Sequence, residues 1–251
     1  MILKNLFFTF PPRRRNKVSA GFTLLELLVV MGIMVVLMVL MAPLLSSIGG
    51  GNNLTKAATD IQGILEQART YAMSADTYVY VGITEVDTLK AQAVSPTYIN
   101  GTGRVAISVV ASTNGMRPYT NTPGPLSSNV VIPLGKVTCF DNLHLTNGTS
   151  LTSGKLAALT NNPTDVSSSI ATTTFTWPLT GTAQYQFTNI VFEFSPQGIV
   201  RIQTNNSFNP SILNTMEFGL VPTKGNIVIS TPNAAVLQIN GTTGAAQVYR
   251  P

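Results

Sequence analysis

Ala20 to Leu45 reads AGFTLLELLVVMGIMVVLMVLMAPLL: a glycine, an aromatic, a Thr-Leu-Leu-Glu step, then an apolar run with no charge from Leu27 to Leu45. At a helical rise of about 1.5 Å per residue the run covers nearly the thickness of bilayer hydrocarbon, about 30 Å. It is a candidate membrane helix. A carboxylate inside such a segment is costly, so Glu26 near its start calls for a reason. Upstream, residues 1–21 carry Lys4, Arg13, Arg14, Arg15 and Lys17 and no acidic residue. By the positive-inside rule that end stays cytoplasmic and the chain after the helix is exported.

The order of a basic leader, Gly21, Phe22, Thr23, Leu24, Leu25, Glu26 and an unbroken apolar helix resembles the processing signal of type IV pilins and type II secretion pseudopilins. The resemblance implies that a membrane prepilin peptidase cuts between Gly21 and Phe22, that the new N-terminal Phe22 is N-methylated, and that Glu26 serves assembly. Pro43 falls where the family tends to place a proline late in this helix, and is expected to kink it. Cleavage there creates a cationic amine on Phe22, and a helix starting four residues before Glu26 places amine and carboxylate on nearly one face. In a bundle of such helices, the amine of one subunit and the Glu26 carboxylate of another neutralise each other in apolar surroundings. The alternative is a conventional secretory signal or anchor, cut after the apolar run around residues 46–51. Against it, the run exceeds the usual core of about 7 to 15 residues, and Glu26 inside it has no purpose.

Composition changes meaning once the leader is removed. Five of the 15 basic residues lie in residues 1–21, so the remainder balances the 10 acidic ones and the mature chain is formally neutral. A sequence pI near 9.5 would otherwise direct attention to nucleic acid or acidic lipid. Charged residues make up 10% of the chain against about 25% in an ordinary soluble domain, which implies a polar but largely uncharged surface. The single cysteine, Cys139, forms no internal disulfide, and beside Val137 and Phe140 it is expected to be buried in a strand.

After the apolar run, Gly49-Gly50-Gly51 weakens any helix by about 1 kcal/mol per glycine relative to alanine, so a hinge or unwound segment is expected there, or a helix end at Ile48. Helical periodicity resumes with Leu54, Ala57, Ala58, Ile61, Ile64, Leu65, Ala68, Tyr71 and Ala72, spaced three and four apart. Lys56, Asp60, Glu66 and Arg69 fall on the other faces and need no role beyond solvation. From Thr77 onward β-branched and aromatic residues dominate, with strands expected at 78–83, 104–110, 129–132, 136–140, 184–194, 198–203, 216–221, 226–230, 235–239 and 245–249. Ser195-Pro196-Gln197-Gly198 suits a type I turn, and residues 240–244 suit a closing hairpin. The helix exit at residues 66–83 and these two hairpins resemble the H-type minor pseudopilins with their GspH/FimT-like domain. Residues 84–185 depart from that pattern.

The expected fold is α+β and pilin-like: a long N-terminal helix whose first half spans the membrane and whose second half packs on a C-terminal antiparallel β-rich domain. The division is a leader at 1–21, an assembly helix at 22–48, a hinge and amphipathic half-helix at 49–77, and a β-rich periplasmic domain at 78–251. Residues 146–174, rich in Thr, Ser and Asn, read as a long surface loop, with Phe175 and Trp177 anchoring its end to the core. The expected function is that of a non-enzymatic minor pilin or pseudopilin in a bacterial inner membrane and then a fibre. Its partners by resemblance are prepilin peptidase, other pilin or pseudopilin subunits, the inner-membrane assembly platform and, before assembly, membrane lipid. No cofactor or metal is expected, because His144, the single histidine, lies near only one cysteine. Gly101-Thr102-Gly103-Arg104 precedes a strand and Gly135-Lys136-Val137-Thr138 lacks phosphate-loop spacing. A DNA- or surface-binding minor pilin is the runner-up, and nucleic acid would need a local cluster of Arg201, Lys224 and Arg250.

Overall fold

A computed structural model describes residues 23–93, 95–119, 124–148, 164–167, 172–202, 212–229 and 233–250, and no side chains within 40–52. The chain divides into two compact units, residues 1–46 and 47–251. One helix, α1 (Leu24–Ser74), contributes to both. Its backbone stays helical through Pro43 and the three glycines, which corrects the unwound segment or helix end expected around residues 46–51. The unit boundary between Ser46 and Ser47 nevertheless falls inside that stretch.

In the first unit α1 is apolar all round. Leu24, Leu25, Leu27, Leu28 and their successors to Val39 are all exposed, Leu24 at 83% and Val30 at 46%. A helix without a polar face is stable only when something apolar surrounds it.

The second unit is built on a sheet of β1 (Val79–Ala91), β2 (Tyr98–Asn100), β3 (Gly103–Ser112), β4 (Val131–Pro133), β5 (Thr138–Thr146), β6 (Thr164–Asp165), and, beyond a separate hairpin, five longer-range strands and one short one. The hairpin is β7 (Phe175–Trp177) with β8 (Tyr185–Phe187). The remaining strands are β9 (Ile190–Phe194), β10 (Val200–Ile202), β11 (Thr215–Lys224), β12 (Ile227–Val228), β13 (Ala235–Asn240) and β14 (Ala246–Tyr249). The spatial order is β10-β9-β1-β3-β5-β11-β13-β14, with β2, β4, β6 and β12 as side branches. Among the described residues, every pairing of named strands is antiparallel except β6 with β11.

Period-two alternation sorts this sheet into two faces. Val79, Val81 and Ile83 of β1, Phe192 and Phe194 of β9, Phe218 and Leu220 of β11 and Leu237 of β13 turn inward and share one core with Leu54, Ala58, Ile61, Leu65 and Ala72 of α1. The stripe spaced three and four apart in the sequence is thus the buried face of the helix, and Leu54, Ile61 and Leu65 are fully covered. Each such side chain contributes roughly 1.5 to 3 kcal/mol by leaving water. Tyr71, placed on that stripe by spacing, is instead 39% exposed at its margin.

The opposite face carries a second core of Tyr80, Val86, Ala106, Val110 and Val191, covered by the β7–β8 hairpin. Phe175 and Phe187 stack with ring centroids 4.7 Å apart. They can sit on β1 because Gly82 has no side chain: a Cβ there would lie 2.7 Å from Phe175 Cζ and 2.8 Å from Phe187 Cβ. Phe175 and the half-buried Trp177 thereby anchor this segment to the core.

α1 ends in a Schellman-type cap. Asp76 takes a left-handed φ of 48°, and the Thr77 N–H donates to the Ala72 carbonyl at 3.1 Å. The Thr77 hydroxyl then donates to the Ser112 carbonyl at 3.1 Å, fixing where β1 enters beside β3.

Glu66 and Arg69 do more than face water. The Gln62 side-chain amide donates to the Ala246 carbonyl at 2.8 Å and the Ala246 N–H donates to Glu66 Oε1 at 2.8 Å, so one turn of α1 holds the start of β14. Arg69 bonds Glu66 at 3.3 Å and lies against the two hairpin turns at Gly198 and Gly244. These polar residues look solvent-directed in sequence because their partners lie more than a hundred residues away.

The turn at 195–198 closes with the Gly198 N–H donating to the Ser195 carbonyl at 2.8 Å and the Ser195 N–H to the Ile199 carbonyl at 2.9 Å. Gly198 has φ +78°, and a Cβ there would meet Met73 Sδ at 2.9 Å. Gly198→Ala should therefore destabilise the unit by roughly 1 to 2 kcal/mol, the cost of a left-handed L-residue. Denaturant titration measures it, and a loss below a few tenths would refute the assignment of this turn.

Several strands differ from their sequence-based bounds. The run expected as one strand over 184–194 is two, β8 and β9, broken at residues 188–189. β2, β6 and β7 had no strand signal. Of residues 146–174, read as one long loop, Thr164–Asp165 pairs with β11 and Val166 is buried; residues 149–163 and 168–171 lie outside the described residues.

Candidate functional site

The first candidate site is the start of α1. Thr23 caps the helix: its hydroxyl oxygen accepts from the Glu26 N–H at 3.2 Å. Glu26 Oε2 in turn accepts from the Thr23 N–H at 3.0 Å and from the Thr23 hydroxyl at 3.0 Å. This reciprocal pair is a capping box, which satisfies otherwise orphaned helix-end donors. The Thr-x-x-Glu spacing preceding an apolar run is its sequence signal. Both bonds fall on Oε2. Gly21 and Phe22, the expected cleavage and methylation positions, lie outside the described residues, as does the side chain of Pro43.

Among the described residues, no helix is long and apolar enough to cross a membrane. The uncharged stretch read from sequence continues from Leu27 to Leu45, beyond Val39, where description of the side chains stops.

In the second unit three buried carboxylates stand out, none of them singled out by sequence. Glu193 on β9 is 3% exposed. Its Oε1 accepts from Arg117 Nε at 3.0 Å and Nη2 at 2.8 Å, with Arg201 Nη1 at 3.8 Å. Its Oε2 accepts from the Tyr119 hydroxyl at 2.7 Å and the Tyr80 hydroxyl at 3.3 Å. Tyr80, Glu193 and Arg201 are register neighbours on β1, β9 and β10, while Arg117 and Tyr119 arrive from the β3–β4 connection. Arg117 also lies over the Tyr78 ring, 5.4 Å from its centroid. Burial, then the adjacent Glu193 charge, holds both the Tyr80 and Tyr119 hydroxyls well above the ordinary tyrosine range, so they remain donors. The Glu193 carboxylate is satisfied from within and pins the 113–119 segment to the sheet.

Glu85 on β1 holds a second junction. It accepts from the Gly103 N–H at 3.2 Å, the Leu145 N–H at 3.1 Å and His144 Nδ1 at 2.9 Å. The β3–β5 ladder shifts register between Gly103 and Arg104, and the carboxylate replaces ladder bonds that the shift removes. His144 is a histidine partnered by Glu85. Among the described residues, no three His, Cys, Asp or Glu side chains are grouped to hold a metal ion. The third carboxylate, Glu217, is taken up below.

Cys139 overturns its expectation. It lies on β5 opposite the buried Ala106, yet it is exposed. Its thiol donates to the Tyr185 hydroxyl at 3.4 Å. Burial, followed by the hydrogen bond to Cys139, pushes the Tyr185 hydroxyl up to about 12. Cys139 should accept one maleimide per chain without denaturant, scored by mass; labelling only after unfolding would contradict the exposed position.

Of the three cations that a nucleic-acid surface would need, Arg201 is engaged with Glu193, and Arg250 bonds Thr55 and Asn233. Lys224 ends β11. They lie on separate segments, and Arg201 and Arg250 have different partners.

Residues 16–42 match the prokaryotic N-terminal methylation motif, which marks a type IV prepilin-like precursor. The match takes in residues 16–21, the capped start of α1 and most of its apolar run, and stops short of the β-rich unit. No curated protein and no solved structure matches the chain.

Proposed function

We propose that this chain is a structural pilin or pseudopilin subunit, made as a membrane-anchored precursor, cut by prepilin peptidase between Gly21 and Phe22, methylated on Phe22 and assembled through α1. The observation that carries the reading is the coincidence of the methylation motif with a capped helix that exposes apolar side chains on every face. Such a helix needs lipid before assembly and the helices of other subunits after it. The positive leader favours a cytoplasmic N-terminus and a periplasmic β-rich unit in a single-pass topology.

In the fibre the methylated Phe22 amine of one subunit meets the Glu26 carboxylate of another. Pro43 and Gly49–Gly51 surround the boundary between the two units, and supply a place for α1 to bend on passing from membrane to fibre. The helix exit and the two closing hairpins favour a minor subunit of the H type. The absence of a metal-binding group among the described residues does not bear on catalysis without metals; the non-enzymatic reading rests on the satisfied, structural environments of Glu85, His144 and Glu193.

Co-expression of the full chain with an active prepilin peptidase is expected to remove residues 1–21, read as a mass loss. An uncut chain beside a cleaved control prepilin would count against the proposal.

A further inference from the structure

Glu217 lies on β11 and is 3% exposed. The Gln238 side-chain amide from β13 donates to its Oε2 at 3.1 Å, whereas its Oε1 is buried with no hydrogen-bond partner among the described residues. What hides Oε1 is Gly148, just after β5: a Cβ on that glycine would lie 2.9 Å from Oε1, with Val236 Cγ1 at 3.1 Å. Beside it runs β6, the one parallel strand, whose register places Asp165 directly next to Glu217. Asp165 is itself bound by the Ser167 N–H at 3.3 Å and the Ser167 hydroxyl at 2.9 Å. Among the described residues, no Lys, Arg or His forms an ion pair with either carboxylate.

Two neighbouring carboxylates without a cation, one buried with an empty-handed oxygen, are tolerable when one is neutral. Among the described residues β6 is held by the two-residue pairing Met216–Thr164 and Glu217–Asp165, by the Val166 N–H donating to the Glu217 carbonyl at 2.9 Å, and by the burial of Val166 in the core. We propose that Glu217 is a proton-held latch: β6 stays docked on β11 while this carboxyl is protonated, and ionisation releases β6 and exposes the carboxylate to water.

Burial, reinforced by the Asp165 charge and opposed by the Gln238 bond, raises Glu217 above the ordinary glutamate range. The sign follows from linkage. A group whose folded pKa is raised contributes its full stabilisation below the unfolded value, near 4.3, and loses it as pH rises through the folded value. Asp165 is the other titratable group facing the site; Gly148, Val236 and Gln238 complete its surroundings.

Amide hydrogen exchange on the full chain in detergent micelles tests this at Val166, with rates corrected for intrinsic exchange. Its protection should fall by up to about tenfold per pH unit between the unfolded and folded pKa values, then level off. Protection at Val105 in the sheet interior should stay constant. Glu217→Gln keeps the bond from Gln238 and cannot ionise, so its Val166 protection should be flat with pH. The same pH profile in E217Q, or a flat profile in the unaltered chain, would overturn the latch. So would full restoration of high-pH protection by millimolar calcium, which would make the pair a cation site.

Discussion

Glu26→Gln should leave precursor cleavage unchanged and lower incorporation into the fibre by an order of magnitude or more. Glutamine can still close the capping box, because its carbonyl accepts from the Thr23 N–H and hydroxyl as Glu26 Oε2 does. What it lacks is the charge. If Glu26 acts by neutralising the Phe22 amine of another subunit, E26Q leaves that amine unpaired in apolar surroundings, a strongly unfavourable state. Glu26→Ala loses both cap and charge and should assemble no better than E26Q. If E26Q assembles normally and E26A does not, the cap is the whole role of Glu26 and the ion pair is refuted. Cleavage is read by mass and incorporation by the share of the chain recovered in sheared fibres.

The second large effect belongs to Glu193. Replacing it by alanine strands the side chain of Arg117, which is 8% exposed, together with that of Arg201 at 19%. It also removes the acceptor of two tyrosine hydroxyls. Breaking a buried pair from one side costs about 3 to 5 kcal/mol, chiefly because the surviving charge is left uncompensated. Arg117→Ala in the Glu193→Ala background should then cost far less than in the unaltered chain, since the carboxylate that it would strand is already gone. Thermal or denaturant unfolding of the four chains of this cycle gives the coupling. Additive losses would mean that the network does not act as a unit.

The two carboxylates show why parts of the chain were legible and others were not. Glu26 could be found in sequence because everything that explains it is local: a cap three residues before it and an apolar run after it. The α1 stripe was legible for the same reason, since helical neighbours three and four apart are sequence neighbours. The hairpins at 195–198 and 240–244 were legible through their turn residues, and both glycines adopt the positive φ that such turns demand.

Glu193 was not legible. Its main partner lies 76 residues away, and a Phe-Glu-Phe alternation reads as one polar residue facing water. Here the opposite face of β9 is covered too, by Arg117 and Tyr119. The same second layer, set by Gly82 and the Phe175–Phe187 stack, made the short strands β7 and β8 a packed hairpin. Cys139 on β5 is exposed although its register partner Ala106 is buried. Glu66 and Arg69 were assigned to solvent on helical periodicity alone, and the closing hairpin, contributed by residues far along the chain, supplied their partners. Alternation gives the side of a strand; what covers that side is decided by segments too distant for any window to include.

The most direct measurement is the N-terminus of the protein isolated from its native membrane, by intact mass and N-terminal peptide mapping. The pilin account requires a chain that begins at an N-methylated Phe22 and keeps its apolar helix. A chain beginning between residues 46 and 51, or one that retains residues 1–21, would contradict it and remove the assembly role given to Glu26.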